Sequence, residues 1–308
     1  MNIEKYIKAV YRAVTNKNYR FLILSSLGLY DNMDDESYLT RKYKACMGKE
    51  LNLDSPQTFN EKLQWLKLHD RKPEYTMMVD KYAVRKYIAN TIGKEYLIPL
   101  LGVWDNPDDI DFDSLPNQFV LKCNHNSGLG MCLCKDKNKL DIEKVKVELR
   151  KGLQQDYYLT GREWPYKNVK RRIIAEKYMT TSGMDDLPDY KIHCFNGEPK
   201  FILYCSERFS KAGTKEDFLD TNWSNLPFKR PDLKCSDKIL KKPSRLNEML
   251  ELAKILSTNI PFLRCDFYEI KGNVYFGELT FFPASGLEAF QPEEWDYRLG
   301  DWLKLPIK

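Results

Sequence analysis

The chain alternates short apolar runs with charged stretches, and the spacing of the apolar positions changes along its length. The first quarter has helical spacing, as in residues 35–46 before Gly48 and in the helix that a Thr58–Glu61 capping box begins. Beyond Phe119 the apolar runs become short and strand-like, with helical stretches between them. The pattern predicts an α+β protein with mostly antiparallel sheets and a helical N-terminal region.

Several runs after the first quarter have the length and composition of strands. They are predicted at residues 119–123, 131–134, 172–179, 190–195 and 200–204. The dipeptide Asn196-Gly197 between the last two is typical of a type I′ turn, which predicts a hairpin.

The most informative segment is a second hairpin, RCDFYEIKGNVYFGELTFFPASG, at residues 264–286. A three-residue loop centred on Gly272 would place Asp266 opposite Glu278 and Arg264 opposite Thr280. Opposed residues share a face with Cβ atoms about 5 Å apart, so two carboxylates there would repel each other. A divalent cation removes that repulsion, and magnesium typically takes one or two carboxylates together with substrate phosphates.

This interpretation depends on the register in which the two strands of the hairpin pair. A two-residue loop at Gly272-Asn273 would pair Asp266 with residue 279 and would send the two carboxylates to opposite faces of the hairpin. The alternative interpretation is two solvated charges on an antiparallel strand pair.

Composition and charge restrict the class of protein. With 308 residues, 43% hydrophobic and 30% charged, the chain is long and apolar enough for one or two folded domains. The net charge is only +5 and the two signs are interleaved, so we expect no nucleic-acid partner. Eight cysteines without a C-x-x-C pair, and no secretory signal, predict free thiols in the cytosol.

The N-terminal residues allow two interpretations. Apolar residues recur there at helical spacing among an excess of lysine and arginine; they are Ile3, Ile7, Val10 and Val14. Such a basic amphipathic helix either packs against its own domain or lies on the anionic inner face of a membrane.

Candidate phosphate-binding residues surround a glycine loop. Lys122 ends the apolar run Phe119–Leu121, and a lysine in a buried strand must find an anion or lose its charge. The loop that follows, residues 124–130, has two glycines, which let backbone N–H groups approach phosphate oxygens. The alternative is an edge-strand lysine facing water, since neither a P-loop nor a complete dinucleotide fingerprint is present.

Three further positions have the chemistry of a nucleotide site. Lys81 follows Asp80, a good helix N-cap, where a cation gains nothing from the helix dipole and is there for another partner. The strand 173–179 could bond an adenine edge through its backbone if one side of the strand is free. Asp189 could accept hydrogen bonds from ribose hydroxyls, and Lys191 could contact phosphate.

Taken in chain order, these pieces resemble the ATP-grasp superfamily, and in particular its TupA-like branch, named for teichuronopeptide biosynthesis. The segments that carry the resemblance are Asp80-Lys81, Phe119–Lys122, Ile174–Tyr178, Asp189-Tyr190 and Arg264–Gly286. It implies two α+β subdomains that grip ATP, at residues 76–179 and 180–308, after a helical region at 1–75.

The resemblance also implies a role for each residue. Lys81 and Lys122 would hold the phosphates of ATP. The nearby loop would close over them, with contacts from Asn126, Ser127 and Gly128. The adenine would bond to the backbone of one segment, namely Glu176, Lys177, Tyr178 and Met179, and Asp189 would hold the ribose. Asp266 and Glu278 would carry Mg²⁺, with Thr280 where the superfamily commonly has asparagine. The catalytic residues would be Arg264, Lys122 and Lys191.

The implied reaction is activation of a carboxylate. ATP would phosphorylate the acid, and an amine would displace phosphate from the acyl phosphate. By resemblance the substrates would be a uronic-acid carboxylate, free or in a glycan, and an amino acid or similar amine, in bacterial capsule or surface-polysaccharide assembly. The alternatives are a sugar kinase or glycosyltransferase of the same pathway, and a non-catalytic nucleotide- or glycan-binding module. His125 is expected to stabilise the loop rather than contact substrate.

Overall fold

The computed structural model describes residues 11–180, 187–207, 213–237 and 239–306. The helices are α1 Lys17–Ser26, α2 Asp35–Met47, α3 Phe59–His69, α4 Pro73–Val79, α5 Val84–Thr91, α6 Ile142–Gln154, α7 Tyr157–Gly161, α8 Leu246–Leu256 and α9 Glu294–Trp302. The strands are β1 Leu100–Trp104, β2 Phe119–Cys123, β3 Met131–Cys134, β4 Ile173–Lys177, β5 Asp189–Phe195, β6 Glu198–Ser206, β7 Lys215–Asp220, β8 Phe262–Ile270 and β9 Asn273–Thr280.

The strands form two antiparallel sheets, with orders β1-β4-β2-β3 and β7-β6-β5-β8-β9. The predicted α+β class with antiparallel sheets is therefore confirmed. All eight cysteines are free, as expected. Within the described residues, none of the helices combines the length and apolar character that crossing a bilayer requires.

Local signals fix several element ends. The Thr58 hydroxyl accepts from the Glu61 backbone N–H at 3.2 Å, and the Glu61 carboxylate accepts from the Thr58 N–H at 3.0 Å, so the predicted capping box is present. Gly48 ends α2 with φ 72°, a left-handed conformation that costs glycine little. Asn196-Gly197, with φ 50° and 83°, forms the tight turn between β5 and β6.

Helix α3 belongs to the core of the second sheet, although it precedes that sheet in the chain by more than a hundred residues. The ring of Phe59 lies 5.5 Å from that of Phe195 and 5.0 Å from that of Phe262. Leu63, one turn further along α3, is fully buried. The helical region and the second sheet therefore share one hydrophobic core. The subdomain boundaries stay a prediction, and the one at residue 75 falls inside α4.

The β8–β9 hairpin has the predicted pairing but not the predicted turn. Its loop has two residues, Lys271-Gly272, both with positive φ, so Ile270 pairs with Asn273. A β-bulge at Gly277 adds one residue to β9 and moves the register, so that Asp266 lies opposite Glu278 and Arg264 opposite Thr280. The predicted three-residue loop is therefore wrong, but the extra residue of the bulge restores the predicted pairing of Asp266 with Glu278.

The N-terminal helix prediction lies mostly outside the described residues, which exclude Ile3, Ile7 and Val10. Val14 is described and is 68% exposed. Both interpretations of this helix therefore stay predictions.

Candidate nucleotide and metal site

Arg264 joins the two acids of the hairpin. Its guanidinium contacts Asp266 through two bonds, from Nε to Oδ1 at 2.7 Å and from Nη2 to Oδ2 at 2.6 Å. The same Nη2 donates to Oε1 of Glu278 at 2.9 Å. Asp266 is buried, whereas the Glu278 side chain is 36% exposed. Glu278 is thus the more open member of the carboxylate pair.

Lys191, on the neighbouring strand β5, completes the cluster. It lies directly opposite Asp266, and its Nζ contacts Oδ2 of Asp266 and Oδ2 of Asp189, each at 2.6 Å. Asp189 is only 2% exposed. The structure therefore corrects its predicted role, because the carboxylate lies inside this ion cluster rather than on an open edge where a ribose hydroxyl could reach it.

The charges of the cluster balance one another. Burial raises the pKa of Asp266, but Arg264 and then Lys191 outweigh burial and hold that pKa below its usual value. Burial likewise lowers the pKa of Arg264, and Asp266 more than restores it. From the sequence, we expected a metal ion to remove the repulsion between the two carboxylates. In the structure the positive charges of Arg264 and Lys191 already reduce that repulsion.

Lys122 lies on β2 and faces a second carboxylate. Its Nζ is 2.6 Å from Oε2 of Glu176 on β4, and the lysine side chain is 22% exposed. Arg85 contacts the other oxygen of Glu176 at 3.1 Å. Lys122 therefore does not point freely into water, and Glu176 anchors it through its side chain.

Lys81 lies between α4 and α5 and bonds to the loop that follows β2. Its Nζ donates to the Asn126 carbonyl at 2.6 Å and its backbone N–H donates to the Asn124 carbonyl at 3.1 Å. Burial lowers the pKa of Lys81, and Glu278 opposes that shift while Lys122 adds to it. Lys81 thus interacts electrostatically with both Lys122 and Glu278, as we expect for a residue of a shared triphosphate site.

The glycine loop is anchored at one end and open in the middle. Asn126 is 3% exposed and its side-chain amide donates to the Gly152 carbonyl at 3.2 Å, so this side chain anchors the loop rather than facing a ligand. His125 is buried and contacts the Gln155 carbonyl at 3.1 Å, which confirms the expected stabilising role. Ser127 and Gly128 are exposed, and Gly128, with φ 82°, has open space around it. These two remain the candidates for closing over phosphate.

The structure contradicts part of the predicted adenine-binding segment, and the rest stays a prediction. Within β4 both sides are occupied, because Glu176 pairs with Leu100 of β1 and with Val120 of β2. The Lys177 N–H donates to the Pro99 carbonyl at 2.9 Å. Glu176 and the Lys177 N–H therefore have no free backbone edge for adenine. The candidates that remain are Tyr178 and Met179, beyond the strand end and half-buried.

The hairpin carboxylates fit a magnesium ion that shares its ligands with phosphates. A carboxylate offers about four lone-pair sites, and Asp266 uses three on Arg264 and Lys191. Oε2 of Glu278 accepts no hydrogen bond from the described residues. Thr280 donates to Oε1 of Glu278 at 3.4 Å, which keeps its hydroxyl beside the pair. No group of three histidine, cysteine or acidic side chains suited to a metal occurs in the described ranges.

This donor set predicts that Mg²⁺ binding depends on nucleotide. Two carboxylates already neutralised by cations cannot hold Mg²⁺ tightly alone, and phosphate oxygens would supply its remaining ligands. We expect calorimetric titration of the protein with MgCl₂ to show no saturation below about 1 mM, the upper end of dedicated cation sites. Addition of ATP should then produce saturable binding. Tight Mg²⁺ binding without nucleotide would contradict this assignment.

Other charged residues near the site were not found from the sequence. Arg230 lies between two carboxylates, 3.5 Å from the partly buried Glu216 and 3.3 Å from the buried Glu288. Burial raises the pKa of Glu288 to about 7. Both acids interact electrostatically with Arg264. The segment around Arg230 is polar and interrupted by proline, so its sequence indicated a loop and gave no sign of this contact.

Two tyrosines face the same cluster. Tyr157 and Tyr166 have ring centroids 4.7 Å apart in an edge-to-face arrangement. Burial raises the pKa of each, and Glu163 and Glu278 raise it further. The aromatic pair therefore interacts electrostatically with the open carboxylate. Its sequence signal was only a run of aromatic residues at 157–166.

Similar solved structures come from several ligases. D-alanine–D-alanine ligase of Bacillus anthracis, complexed with ATP, is 15% identical with a TM-score of 0.39, over 67% of this chain and 54% of that one. The Helicobacter pylori D-alanine–D-alanine ligase is 17% identical with a TM-score of 0.40, over 80% and 69%. ATP-grasp ligase PsnB, complexed with a phosphomimetic variant of minimal precursor, Mg and ADP, is 10% identical with a TM-score of 0.40, over 89% and 71%. The present chain thus spans about half the length of the Bacillus anthracis ligase.

Comparison with protein sequences gives the family. No curated protein matches the chain. The family model described as TupA-like ATPgrasp matches residues 61–304, which include most of α3, both sheets and the whole ion cluster. Because this match covers most of the chain, the protein belongs to the TupA-like ATP-grasp family.

Proposed function

We propose that the protein is an ATP-dependent carboxylate–amine ligase that acts through an acyl phosphate. One observation carries the proposal. Lys81, whose Nζ donates to a carbonyl of the loop after β2, interacts electrostatically both with Glu278 of the second sheet and with Lys122 of the first. Cations on one side and a cation-bridged carboxylate pair on the other suit a magnesium-bound triphosphate. Membership in the ATP-grasp family supports the same reaction class.

The residues suit phosphoryl transfer because they neutralise and align charge. A carboxylate oxygen of the acid attacks the γ-phosphorus, the bond from that phosphorus to the β–γ bridging oxygen breaks, and ADP leaves. The amine then attacks the acyl carbon, phosphate leaves with the acid's oxygen, and the amine loses a proton. Arg264 and Lys191 are positioned to balance negative charge on the transferring group, and magnesium would shield the phosphates when bound.

The proposed substrates are a uronic-acid carboxylate and an amino acid or similar amine of bacterial surface-polysaccharide assembly. The support is the TupA-like family and the tyrosine pair that interacts electrostatically with Glu278, since aromatic rings offer apolar faces to sugars. Activity is proposed to be cytoplasmic.

The experiment is an oxygen-transfer assay built on a substrate screen. Phosphate release is measured for uronic acids crossed with amino acids, in the presence of ATP and Mg²⁺. The productive acid is then labelled with ¹⁸O in its carboxylate. We expect one ¹⁸O atom in each released phosphate, because the acyl phosphate donates that oxygen. Release of unlabelled phosphate would contradict the mechanism.

The same screen separates the alternatives. A sugar kinase would form ADP and a stable phosphorylated sugar without releasing phosphate. A glycosyltransferase would consume a nucleotide-sugar donor without needing the acid. A binding module would retain ATP and turn over no mixture. The ligase requires that phosphate release depend on both the acid and the amine.

Replacing Lys122 with methionine tests the phosphate side of the site. The substitution removes a cation beside Glu176 and leaves that carboxylate with Arg85. We expect turnover to fall by about 10²-fold or more, the usual effect of deleting one key electrostatic group. Steady-state phosphate release measures it. A wild-type rate in Lys122→Met would show that Lys122 does not contribute to the site.

A further inference from the structure

One face of helix α3 is polar and completely buried. Asn60, Gln64 and Lys67 recur at intervals of four and three residues, which places them on one side of the helix. They are 0%, 0% and 1% exposed. Buried polar groups require hydrogen-bond partners, and these side chains find theirs in the segment 285–288, on the other side of the core.

The three side chains bond to the backbone of that segment. Asn60 pairs with Glu288, donating to its carbonyl at 2.8 Å and accepting from its N–H at 3.0 Å. Gln64 donates to the carbonyls of Ser285 at 3.0 Å and Gly286 at 2.7 Å. Lys67 donates to the carbonyl of Ser285 at 2.8 Å and to its hydroxyl at 2.9 Å. Side chains of helix α3 thus form hydrogen bonds with the backbone of three of the four residues in this segment.

The bonded segment has an unfavourable backbone. The turn Pro283–Gly286 follows β9 directly and has positive φ at Ala284 (45°), Ser285 (58°) and Gly286 (63°). Two of these residues carry a Cβ, and such conformations persist only where the surroundings hold them. Gly286 leaves no room for a side chain, since a Cβ would lie 2.5 Å from Nε2 of Gln64.

Lys67 also holds a third segment against the turn. Its Nζ donates to the Gly161 carbonyl at 2.8 Å, two residues before Glu163. Glu163 is buried, interacts electrostatically with Lys67, and bonds to the Ser285 side chain. Burial lowers the pKa of Lys67 to about 7. One ammonium group therefore connects α3, the 161–163 segment and the turn after the carboxylate strand.

Both segments that Lys67 holds border the candidate site. The turn begins three residues after Thr280 on β9. Glu163 interacts electrostatically with Arg264 and with Tyr157 and Tyr166, the tyrosines that also interact electrostatically with Glu278. Movement of either segment would change the wall of the site without removing any group that contacts nucleotide.

We propose that Lys67 is a positioning residue, which fixes the 283–286 turn and the 161–163 segment against each other beside Arg264 and Glu278. This role in catalysis rests on the proposed ligase function. The hydrogen bonds of Asn60 and Gln64 set the turn against the helix, and Lys67 adds the connection to the third segment. Loss of Lys67 should therefore slow the chemical step rather than weaken binding of ATP.

Hydrogen exchange tests the structural half of the proposal without using activity. Lys67→Met is compared with Lys62→Met, a matched control on the same helix. Lys62 donates to the Gly300 and Leu303 carbonyls, away from the turn. We expect the Ser285 and Leu287 amides to exchange about 10-fold faster or more in Lys67→Met, because buried acceptors lose their donor. Equal exchange in the two variants would overturn the proposal.

Kinetics test the catalytic half. We expect the kcat of Lys67→Met to fall by about 10²-fold, since small misplacement of a site wall has effects of that size, while the KM for ATP stays within about 2-fold. A raised KM for ATP with unchanged kcat would overturn the positioning role. If Lys67→Met does not fold, Gln64→Met is used, because it removes two bonds to the turn and also the Oε1 atom that accepts from the Nζ of Lys67.

The two proposals fail in different ways. If the wild-type protein turns over no acid–amine pair, the ligase function is wrong, and the exchange comparison still decides whether Lys67 holds the turn. If turnover is present and Lys67→Met matches Lys62→Met in kcat and in exchange, the ligase function stands and the positioning role is wrong.

Discussion

Glu278→Gln should reduce magnesium-dependent turnover by at least about 10²-fold with little change in stability. The side chain is 36% exposed, against 1% for Asp266, and its oxygen Oε2 accepts no hydrogen bond from the described residues. Glutamine keeps the size and one carbonyl oxygen but removes the charge that would attract the cation. Because the ion pair with Arg264 is partly solvated, the free energy of unfolding should change by no more than about 1 kcal/mol.

A matched control separates this effect from disturbance of the hairpin. Glu269 lies on the partner strand β8, opposite Val274, and bonds to Ser244, away from the cluster. Glu269→Gln should retain turnover within about 2-fold, as expected for a surface substitution. The measurement is phosphate release across a range of Mg²⁺ concentrations. Equal activity of Glu278→Gln and Glu269→Gln would show that Glu278 does not bind the metal ion.

Arg264→Met should be the most destabilising substitution in the cluster. Its side chain is 12% exposed and supplies three hydrogen bonds to two carboxylates. Its loss leaves Asp266, which is buried, with Lys191 as its remaining cation among the contacts described. Removing one partner of a buried ion pair costs about 3–5 kcal/mol, so chemical denaturation should show a loss of that size at pH 7.

The pH dependence of this defect has a definite sign. In the wild-type protein the pKa of Asp266 is below its usual value, so its ionised form stabilises the fold above the unfolded pKa of about 3.9. Stability is lost as pH falls through the lower, folded pKa. In Arg264→Met burial should raise the pKa of Asp266, and the difference in stability from wild type should therefore shrink as pH falls toward 4.

A second substitution and a control complete this test. Adding Asp266→Asn to Arg264→Met removes the poorly compensated charge and should restore part of the stability at pH 7. Arg298→Met removes an exposed pair with Glu294 and should cost about 1 kcal/mol or less. A defect in Arg264→Met that is independent of pH, with no restoration by Asp266→Asn, would show that packing rather than charge explains the loss.

Sequence reasoning succeeded where a feature depends on neighbouring residues. The Thr58–Glu61 capping box, the Asn196-Gly197 turn and the end of α2 at Gly48 are all set within four residues. The Asp266–Glu278 pairing also agrees with the structure, but a two-residue turn and a bulge at Gly277 produce it together. Pattern alone cannot locate a bulge, because the extra residue leaves the strand character of the segment unchanged.

Sequence reasoning failed where a role depends on neighbours distant in the chain. Glu176 was expected to offer backbone to adenine, yet β1 and β2 occupy both of its sides. Asp189 was expected at a ribose, yet Lys191 draws it into the hairpin cluster. Asn60, Gln64 and Lys67 show helical spacing in the sequence, but nothing local indicates that the segment 285–288 is their partner.

The central claim is that cations from the first sheet and acids from the second hold one magnesium–nucleotide complex. Calorimetric titration of ATP, with and without Mg²⁺, into wild type, Lys122→Met and Glu278→Gln tests it most directly. Lys122→Met should weaken ATP binding under both conditions, whereas Glu278→Gln should abolish only the gain in affinity that Mg²⁺ provides. Wild-type affinity for Mg²⁺–ATP in either variant would contradict the shared site.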